Sequence, residues 1–120
     1  MTRTVLRSKL HRATVTQADP DYEGSITIDA DLLRAAGIAV FERVLVADVA
    51  NGERFETYAI EGPAGSGIIG LNGAAARLGR VGDILIIMAF GSVPDAEVST
   101  VRPRIVLLAP GNRIAEVRGL

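Results

Sequence analysis

Short apolar runs separated by turn residues are the dominant pattern along this chain. Val and Ile are frequent in these runs, and branched side chains favour strands because they pack well on a pleated surface. Asn51-Gly52, between two such runs, is the strongest short-range signal for a β-hairpin. Residues 19–21 predict a turn because proline fixes its own backbone angle. The pattern predicts strands at residues 5–6, 10–16, 25–28, 40–50, 53–60, 84–90 and 104–108.

Only two short segments have a helical pattern, residues 32–36 and residues 74–78. Aspartate and asparagine commonly cap the first turn of a helix, and glycine commonly ends the last. The expected N-caps are Asp29 or Asp31 for the first helix and Asn72 for the second, and the glycines that end them are Gly37 and Gly79. Many short strands with few helices predict a mainly β fold, a small closed or nearly closed barrel with short peripheral helices.

Length and composition indicate a single domain with an aliphatic core. The 120 residues are 48% hydrophobic but only 4% aromatic, and a chain of this length buries about two-thirds of its unfolded surface. The 13 basic and 14 acidic residues are interspersed, which argues against nucleic acid or an anionic membrane as a partner. Because the N-terminus has no long apolar stretch, we expect no signal peptide, no membrane span and a cytoplasmic location.

The chain contains no cysteine, and His11 is its only histidine. Without thiols we expect neither a disulfide nor a thiolate zinc site, and one histidine gives no recognisable set of metal ligands. Lys9, the only lysine, lies two positions before His11, so a strand would place both on one face. The alternative is that His11 is a structural residue, as most lone histidines are.

Residues 65–70 fit the Gly-x-Gly-x-x-Gly pattern of dinucleotide-binding folds. That motif binds a pyrophosphate only where a helix begins inside it and directs its N-terminus at the ligand. Here Ile68 and Ile69 are β-branched, and Asn72-Gly73 would interrupt a helix. The segment therefore predicts a loop followed by a short strand, and no NAD.

The second strand of the predicted hairpin has two chemically suggestive side chains on one face. Side chains alternate along a strand, so Arg54 and Tyr58 share one side and Thr57 lies on the other. Arginine can bind a carboxylate through two parallel hydrogen bonds, and a tyrosine hydroxyl can donate a proton at neutral pH. The alternative is an ordinary solvated strand face.

Gly24-Ser25 is a candidate reactive peptide bond. Glycine adopts backbone angles that side chains forbid, and the serine hydroxyl can turn back on the preceding carbonyl. The alternative is an ordinary turn before a strand.

The predicted helix start at residues 72–75 offers unpaired backbone amides. Its small side chains leave these amides accessible to a carboxylate or carbonyl of a ligand. The alternative is that these alanines pack against the barrel with nothing bound.

Several segments together resemble the pyruvoyl-dependent aspartate decarboxylases, in order and in spacing. The resemblance covers residues 1 to about 95, and the last 25 residues carry little of it. The segments are Lys9-Leu10-His11-Arg12-Ala13, Val15-Thr16-Gln17-Ala18, Tyr22-Glu23-Gly24-Ser25, Ile28-Asp29, Asn51-Gly52 with Arg54, Thr57-Tyr58-Ala59-Ile60, Asn72-Gly73-Ala74-Ala75-Ala76 and Gly82-Asp83.

The resemblance implies a six-stranded double-psi β-barrel and a homotetramer with active sites at subunit interfaces. It implies decarboxylation of L-aspartate to β-alanine and carbon dioxide for pantothenate and coenzyme A biosynthesis. The chain would cut itself between Gly24 and Ser25 into residues 1–24 (a β chain) and 25–120 (an α chain). Ser25 would become a pyruvoyl group that binds aspartate as a Schiff base, so no pyridoxal phosphate, NAD or metal is implied.

The resemblance also assigns roles to particular residues. They are Ser25 as the pyruvoyl precursor, Gly24 as the attacked carbonyl, Thr57 as a donor to the oxyanion and a substrate contact, Tyr58 as the proton donor, Arg54 and Lys9 as carboxylate ligands, the amides of Gly73, Ala74 and Ala75 as substrate contacts, and His11 in self-processing. Position 47 departs from the family, because some relatives have an aromatic residue where this chain has Ala47. A rival hypothesis is an uncleaved β-barrel that acts as a binding or DNA-interacting module.

Overall fold

The computed structural model describes residues 1–119, most of which lie in β-strands. The strands are β1 (Thr2–Thr14), β2 (Gln17–Asp19), β3 (Ile26–Asp29), β4 (Arg43–Asp48), β5 (Arg54–Gly62), β6 (Ile69–Asn72), β7 (Ile84–Pro94), β8 (Arg104–Ala109) and β9 (Arg113–Arg118). One α-helix, α1 (Ala30–Ala36), and 3-10 helices at Gly73–Arg77, Asp95–Thr100 and Pro110–Asn112 connect them. Within residues 1–119, no helix is long and apolar enough to cross a membrane.

The strands form one mixed sheet in the order β2-β6-β3-β5-β4-β7-β1-β8-β9. The pairs β1–β8, β2–β6 and β3–β5 are parallel, and the other neighbouring strands are antiparallel. The prediction of a mainly β fold with short helices is therefore confirmed.

The hairpin predicted at Asn51-Gly52 is present, because β4 and β5 pair antiparallel on either side of it. Asn51 Oδ1 accepts a hydrogen bond from the Glu53 amide at 2.8 Å, and Gly52 has φ +75°. The prediction that the first strand of this hairpin begins at residue 40 is wrong. Phe41 has φ +70°, outside the extended region, and β4 begins only at Arg43.

The N-terminal segment differs from the prediction of two separate strands. β1 is continuous from residue 2 to residue 14 because two bulges, at residues 6–8 and 11–13, absorb its irregular pattern. Lys9 and His11 lie in the regular stretch between the bulges, so they share a face as predicted. The short strand β2 and the last strand, β9, were not predicted.

Seven large aliphatic side chains with no exposed surface form the centre of the core. They come from the four strands β1, β3, β6 and β7: Leu10, Ile26, Ile28, Ile69, Leu71, Leu85 and Ile87. Ile26 and Leu71 are register partners on β3 and β6. The ends of these two strands are therefore held by fully buried neighbours, and a site built there rests on rigid elements.

Asp29 organises both the start of α1 and the glycine-rich loop. Its carboxylate accepts hydrogen bonds from the amides of Asp31 at 2.8 Å, Gly65 at 3.1 Å and Gly67 at 2.8 Å. The prediction of Asp29 as the N-cap and Gly37 as the end of this helix is confirmed. Since the loop amides already bind a carboxylate of the chain itself, the motif at residues 65–70 has a structural explanation, and β6 follows it without a helix.

We expect Asp29→Ala to lower the free energy of unfolding by about 2–4 kcal/mol, because three backbone amides lose a charged acceptor. Urea denaturation followed by circular dichroism would measure the loss. Asp31→Ala is the matched control, because that carboxylate is exposed and pairs only with Arg34 one turn away; its cost should stay below about 1 kcal/mol. Equal losses in the two variants would contradict this account of the loop.

Asp48 and Asp83 form a pair of neighbouring carboxyl groups. Asp48 is buried at the end of β4, and while both carboxyl groups are ionised its Oδ2 has no hydrogen-bond donor within the part of the chain described. A Cβ placed on Gly79 would lie 2.9 Å from that oxygen and 3.7 Å from Asp83 Oδ2. Burial, followed by hydrogen bonding to Asp83, raises the pKa of Asp48 above its ordinary 3.8, and hydrogen bonding to Asp48 lowers the pKa of Asp83. The pair therefore retains a proton at a pH where separate aspartates are ionised.

We expect Asp48→Asn to gain stability relative to the unmodified chain as the pH rises. A raised folded-state pKa makes a contribution that is complete below the ordinary value and is lost as the pH rises through the raised value. Asparagine cannot ionise, and its side-chain amide can donate a hydrogen bond to Asp83. The lowered pKa of Asp83 gives a contribution to stability that is lost only as the pH falls. Melting temperatures of both proteins from about pH 4 to about pH 8 would test this. A constant difference across that range would contradict it.

Candidate active site

Gly24 and Ser25 stand at the entrance to β3 in an unusual backbone conformation. Gly24 has φ +30° and Ser25 has φ +82°, a region that residues with a side chain rarely adopt. Ser25 is buried, with 3% of its surface exposed. For a residue with a side chain, here Ser25, this conformation costs about 1–3 kcal/mol and persists only where the surrounding structure imposes it. The peptide bond singled out from the sequence is therefore strained and shielded from solvent.

Asn72 fixes Ser25 from the neighbouring strand. Its amide N–H donates to the Ser25 carbonyl at 3.0 Å, and its side-chain Nδ2 lies 3.5 Å from Ser25 Oγ and 2.8 Å from Thr27 Oγ1. The prediction that the Asn72 side chain caps a helix is wrong, because these partners occupy it. The segment after it is a 3-10 helix whose C-cap is Leu78 rather than Gly79.

Gly73 permits the closest backbone approach in the site. It has φ +60°, and a Cβ placed there would lie 3.1 Å from the Gly24 nitrogen and 3.3 Å from the Tyr22 carbonyl oxygen. A side chain at this position would press on the backbone beside the strained bond. Gly73 therefore lets the 3-10 helix begin directly against Gly24.

The parallel pairing of β3 and β5 places Tyr58 beside the same bond. Ile26 pairs with Ala59, so the preceding residues, Ser25 and Tyr58, are also neighbours. A Cβ on Gly24 would lie 3.1 Å from Tyr58 Oη, which puts the tyrosine hydroxyl next to the Gly24 Cα. The Tyr58 ring lies 6.3 Å from that of Phe41, a typical aromatic contact.

Two cavities meet at this point. One, of about 350 Å³, is lined by Gly24, Ser25, Phe55, Glu56, Thr57, Tyr58, Asn72, Ala74, Ala75 and Leu78. The other, of about 460 Å³, is lined by Asp21, Tyr22, Glu23, Ser25, Phe41, Tyr58 and Ile60. Ser25 and Tyr58 border both cavities. A small molecule in either cavity would contact the two groups that the sequence singled out as reactive.

Comparison with known proteins agrees with this arrangement. A protein-family model described as aspartate decarboxylase matches residues 1–115. The chain is 59% identical over 118 residues to an aspartate 1-decarboxylase of Methylibium petroleiphilum, with 98% of each chain covered. It is 56% identical over 120 residues to the aspartate 1-decarboxylase of Ralstonia nicotianae, covering all of both chains.

The chain belongs to the aspartate decarboxylase family. The match to the family extends past residue 95, so the expectation that the last 25 residues carry little of the resemblance is wrong. Asn112 has a structural role in this C-terminal region. Its buried side chain donates to the carbonyls of Thr14 at 2.9 Å and Gly67 at 2.7 Å, which ties the C-terminal segment to β1 and to the glycine-rich loop.

Not all the residues that the aspartate decarboxylase resemblance assigns to the site meet within one chain. Lys9 and His11 lie on β1, and the strands β4 and β7 separate β1 from β5. Arg54 begins β5, exposed on the same face as Tyr58 and opposite Ala47, but it does not line either cavity. Lys9, His11 and Arg54 are thus outside the pocket formed around Ser25.

His11, on β1, has a pKa that its surroundings shift from the ordinary value. Its Nδ1 is buried without a hydrogen-bond partner among residues 1–119. Burial, and then the charges of Lys9 and Arg12, lower its pKa below the ordinary 6.5. The imidazole is therefore neutral at neutral pH, which suits it to accept a proton or a hydrogen bond.

Proposed function

We propose that this chain is an aspartate 1-decarboxylase that converts L-aspartate to β-alanine and carbon dioxide with a pyruvoyl group made from its own Ser25. The observation that carries the proposal is the strained, buried Gly24–Ser25 bond in a member of this family. The product would serve pantothenate and coenzyme A biosynthesis.

Self-processing begins when Ser25 Oγ attacks the Gly24 carbonyl carbon. The C–N bond breaks as the ester C–O bond forms, and the Ser25 nitrogen becomes a free amine. Loss of a proton from the Ser25 Cα then expels the Gly24 carboxylate and leaves dehydroalanine, which water hydrolyses to a pyruvoyl group with release of ammonia. The positive φ of Ser25 supports the first step, since cleavage of the Gly24–Ser25 bond frees the backbone from a conformation that is strained for a residue with a side chain.

Neighbouring groups in the chain have defined tasks in that cleavage. The oxygen of the attacked carbonyl gains negative charge, so it needs hydrogen-bond donors, and Thr57 on the cavity wall is our candidate. Asn72 holds the Ser25 carbonyl and lies within reach of its hydroxyl, so we add it as a positioning residue. His11 remains a candidate for self-processing, and in a single chain it lies on a different strand from the bond.

The residues around Ser25 fit a pyruvoyl group. The cavity beside Ser25 is partly apolar, and Thr57 and Tyr58 offer hydroxyls there. When present, the group supplies an electrophilic carbonyl and an electron sink that ordinary side chains lack. Amides at the start of the 3-10 helix, from Gly73, Ala74 and Ala75, have no helical acceptor and are our candidates for orienting the substrate. Tyr58 is the proposed proton donor to the carbon that loses carbon dioxide.

Aspartate has two carboxylates, and the cavity beside Ser25 requires positive charge from outside its own lining. The charged side chain among its lining residues is Glu56, which would repel the substrate. Arg54, four residues before Tyr58 on the same face, can extend toward it, and Lys9 is the proposed contribution of a neighbouring subunit. This need supports a site that is completed at a subunit interface; the homotetramer of double-psi β-barrels that we propose is what membership of the family implies.

Residues 1–24 and 25–120 should remain associated after cleavage. β1 and β2 belong to the first fragment, and they pair with β7, β8 and β6 of the second. We therefore expect two bands on a denaturing gel but one species on a native gel. Separation of the fragments under native conditions would contradict the proposed division of the domain.

Mass spectrometry of the purified protein tests the proposal. We expect two masses that correspond to residues 1–24 and to residues 25–120 with a pyruvoyl N-terminus, together with carbon dioxide release from aspartate. An intact chain after prolonged incubation would overturn the pyruvoyl mechanism. It would favour the rival hypothesis of an uncleaved binding module, for which a DNA mobility shift is the direct assay.

A further inference from the structure

Three arginines converge on a third cavity, which shares no lining residue with the two cavities around Ser25. This cavity, the arginine cleft, has a volume of about 360 Å³ and is lined by Arg7, Ala36, Gly37, Arg102, Arg104 and Gly119. Its volume lies within the range of about 300–1,000 Å³ that is usual for ligand pockets. Arg7 is on β1, Ala36 and Gly37 end α1, and Arg104 begins β8. Two separate parts of the chain, β1 and the segment that leads into β8, therefore direct guanidinium groups to the end of α1.

Arg7 is held in position by its backbone and by two partners. It is the extra residue of the bulge between Leu6 and Ser8, and such a bulge re-aims a side chain away from the regular alternation of the strand. Its guanidinium donates to the Gly37 carbonyl at 2.8 Å and forms an ion pair with Glu42. Arg7 therefore reaches the end of α1 in a fixed orientation.

Arg104 approaches the same point. A Cβ placed on Gly37, which has φ +67°, would lie 3.2 Å from Arg104 Nη1 and 3.9 Å from Arg7 Nη1. Glycine at this position thus leaves room for both guanidinium groups. Within the part of the chain described, neither Arg102 nor Arg104 forms an ion pair or donates a side-chain hydrogen bond.

Capping of α1 does not account for Arg104. Basic side chains often donate to the last carbonyls of a helix. Here the Ala36 carbonyl already accepts from Ser8 Oγ and the Gly37 carbonyl from Arg7. The cleft thus holds three guanidinium groups against one carboxylate, that of Glu42, and two of the three are without a described partner.

We propose that the arginine cleft binds a phosphoryl group. A phosphate dianion matches the two positive charges that have no partner among residues 1–119, and its oxygens match the planar fork that arginine presents better than they match a single ammonium. Free inorganic phosphate and a phosphorylated metabolite share this chemistry. Arg7, which is already oriented, supplies the fixed donor, and Arg102 and Arg104 close on the ligand.

Isothermal titration of inorganic phosphate into the purified protein, at low ionic strength, tests the proposal. We expect saturable binding that matched potassium chloride does not reproduce. Arg104→Gln and, separately, Arg102→Gln should each weaken it by about tenfold, the usual effect of losing one charged hydrogen-bond donor. Arg34→Gln is the matched control, because Arg34 is an exposed arginine of α1 outside the cleft, and binding should be unchanged.

The outcomes separate the possibilities. Saturable binding that only the cleft variants weaken supports the site, and a parallel titration with glycerol 3-phosphate identifies the source: tighter binding than inorganic phosphate assigns an organic phosphate, and weaker binding assigns the free ion. Heats that potassium chloride reproduces, or equal affinity of Arg34→Gln, Arg102→Gln and Arg104→Gln, would overturn the proposal. Circular dichroism spectra that match the unmodified chain ensure that the cleft variants are folded.

Discussion

Ser25→Ala should leave the chain uncut and abolish carbon dioxide release from aspartate. The substitution removes the only atom that can attack the Gly24 carbonyl from within the strained pair, and it removes the precursor of the proposed pyruvoyl group. The backbone contact remains, because the Asn72 backbone N–H donates to the Ser25 carbonyl; only the 3.5 Å contact between Asn72 Nδ2 and Ser25 Oγ is lost. Mass spectrometry should therefore find one mass of the full chain, and a carbon dioxide assay should give only the background rate.

Ser99→Ala is the matched control for that experiment. Ser99 is exposed in the 3-10 helix at Asp95–Thr100, far along the chain from the cleavage site. The control protein should cut itself and decarboxylate aspartate like the unmodified chain. If Ser25→Ala is still cleaved at residue 24, the attack comes from another nucleophile, and the proposed processing chemistry fails.

Local signals predicted the elements whose structure depends on adjacent residues. The hairpin at Asn51-Gly52 and the start of α1 at Asp29 need only a few neighbours, and both are present. The strand β9 was missed although its partner β8 directly precedes it, because its side chains are almost all exposed and give a weak apolar pattern. The strand β2 was missed because its partner is distant: residues 17–19 pair with residues 70–72 of β6. Three residues without a hydrophobic pattern give no sign of such a strand in the sequence.

Asn72 shows why part of the site could not be predicted. An asparagine before a short run of alanines has the pattern of an N-cap, and the sequence offers no reason to assign it elsewhere. In the folded chain Thr27 Oγ1 lies 2.8 Å from its side chain, on a strand 45 positions earlier. The Asn72 side chain binds Thr27 in place of forming the local N-cap hydrogen bond. The register of β3 and β6 brings the two residues together, and the sequence pattern does not give that register.

For Lys9 and His11 the local geometry was predicted correctly, but their position relative to Ser25 was not. Their shared face on β1 follows from strand alternation and is confirmed, but alternation says nothing about which strands lie next to β1. The sheet order places β7 and β8 there, and Ser25 is reached only across β4 and β5. Family resemblance can name both residues as partners of Ser25, whereas within one chain they lie on a different part of the sheet; their contribution from a second subunit is a proposal.

Tyr58→Phe should leave cleavage normal and lower the decarboxylation rate by about 10²–10⁴-fold, the usual contribution of a positioned general acid. The substitution removes only the hydroxyl, which lies beside Gly24, and keeps the ring that packs 6.3 Å from Phe41. The cleavage chemistry uses Ser25 and donors to the Gly24 carbonyl, so it does not depend on this hydroxyl.

Tyr22→Phe is the matched control, because Tyr22 and Tyr58 are the two tyrosines of the chain and Tyr22 lies on the wall of only one cavity. Mass spectrometry should find both variants fully cut, and steady-state assays should find a large loss of kcat only in Tyr58→Phe. A normal kcat would remove Tyr58 from the mechanism. A chain that is both uncut and inactive would instead place the Tyr58 hydroxyl in self-processing, because it lies next to the bond that must break.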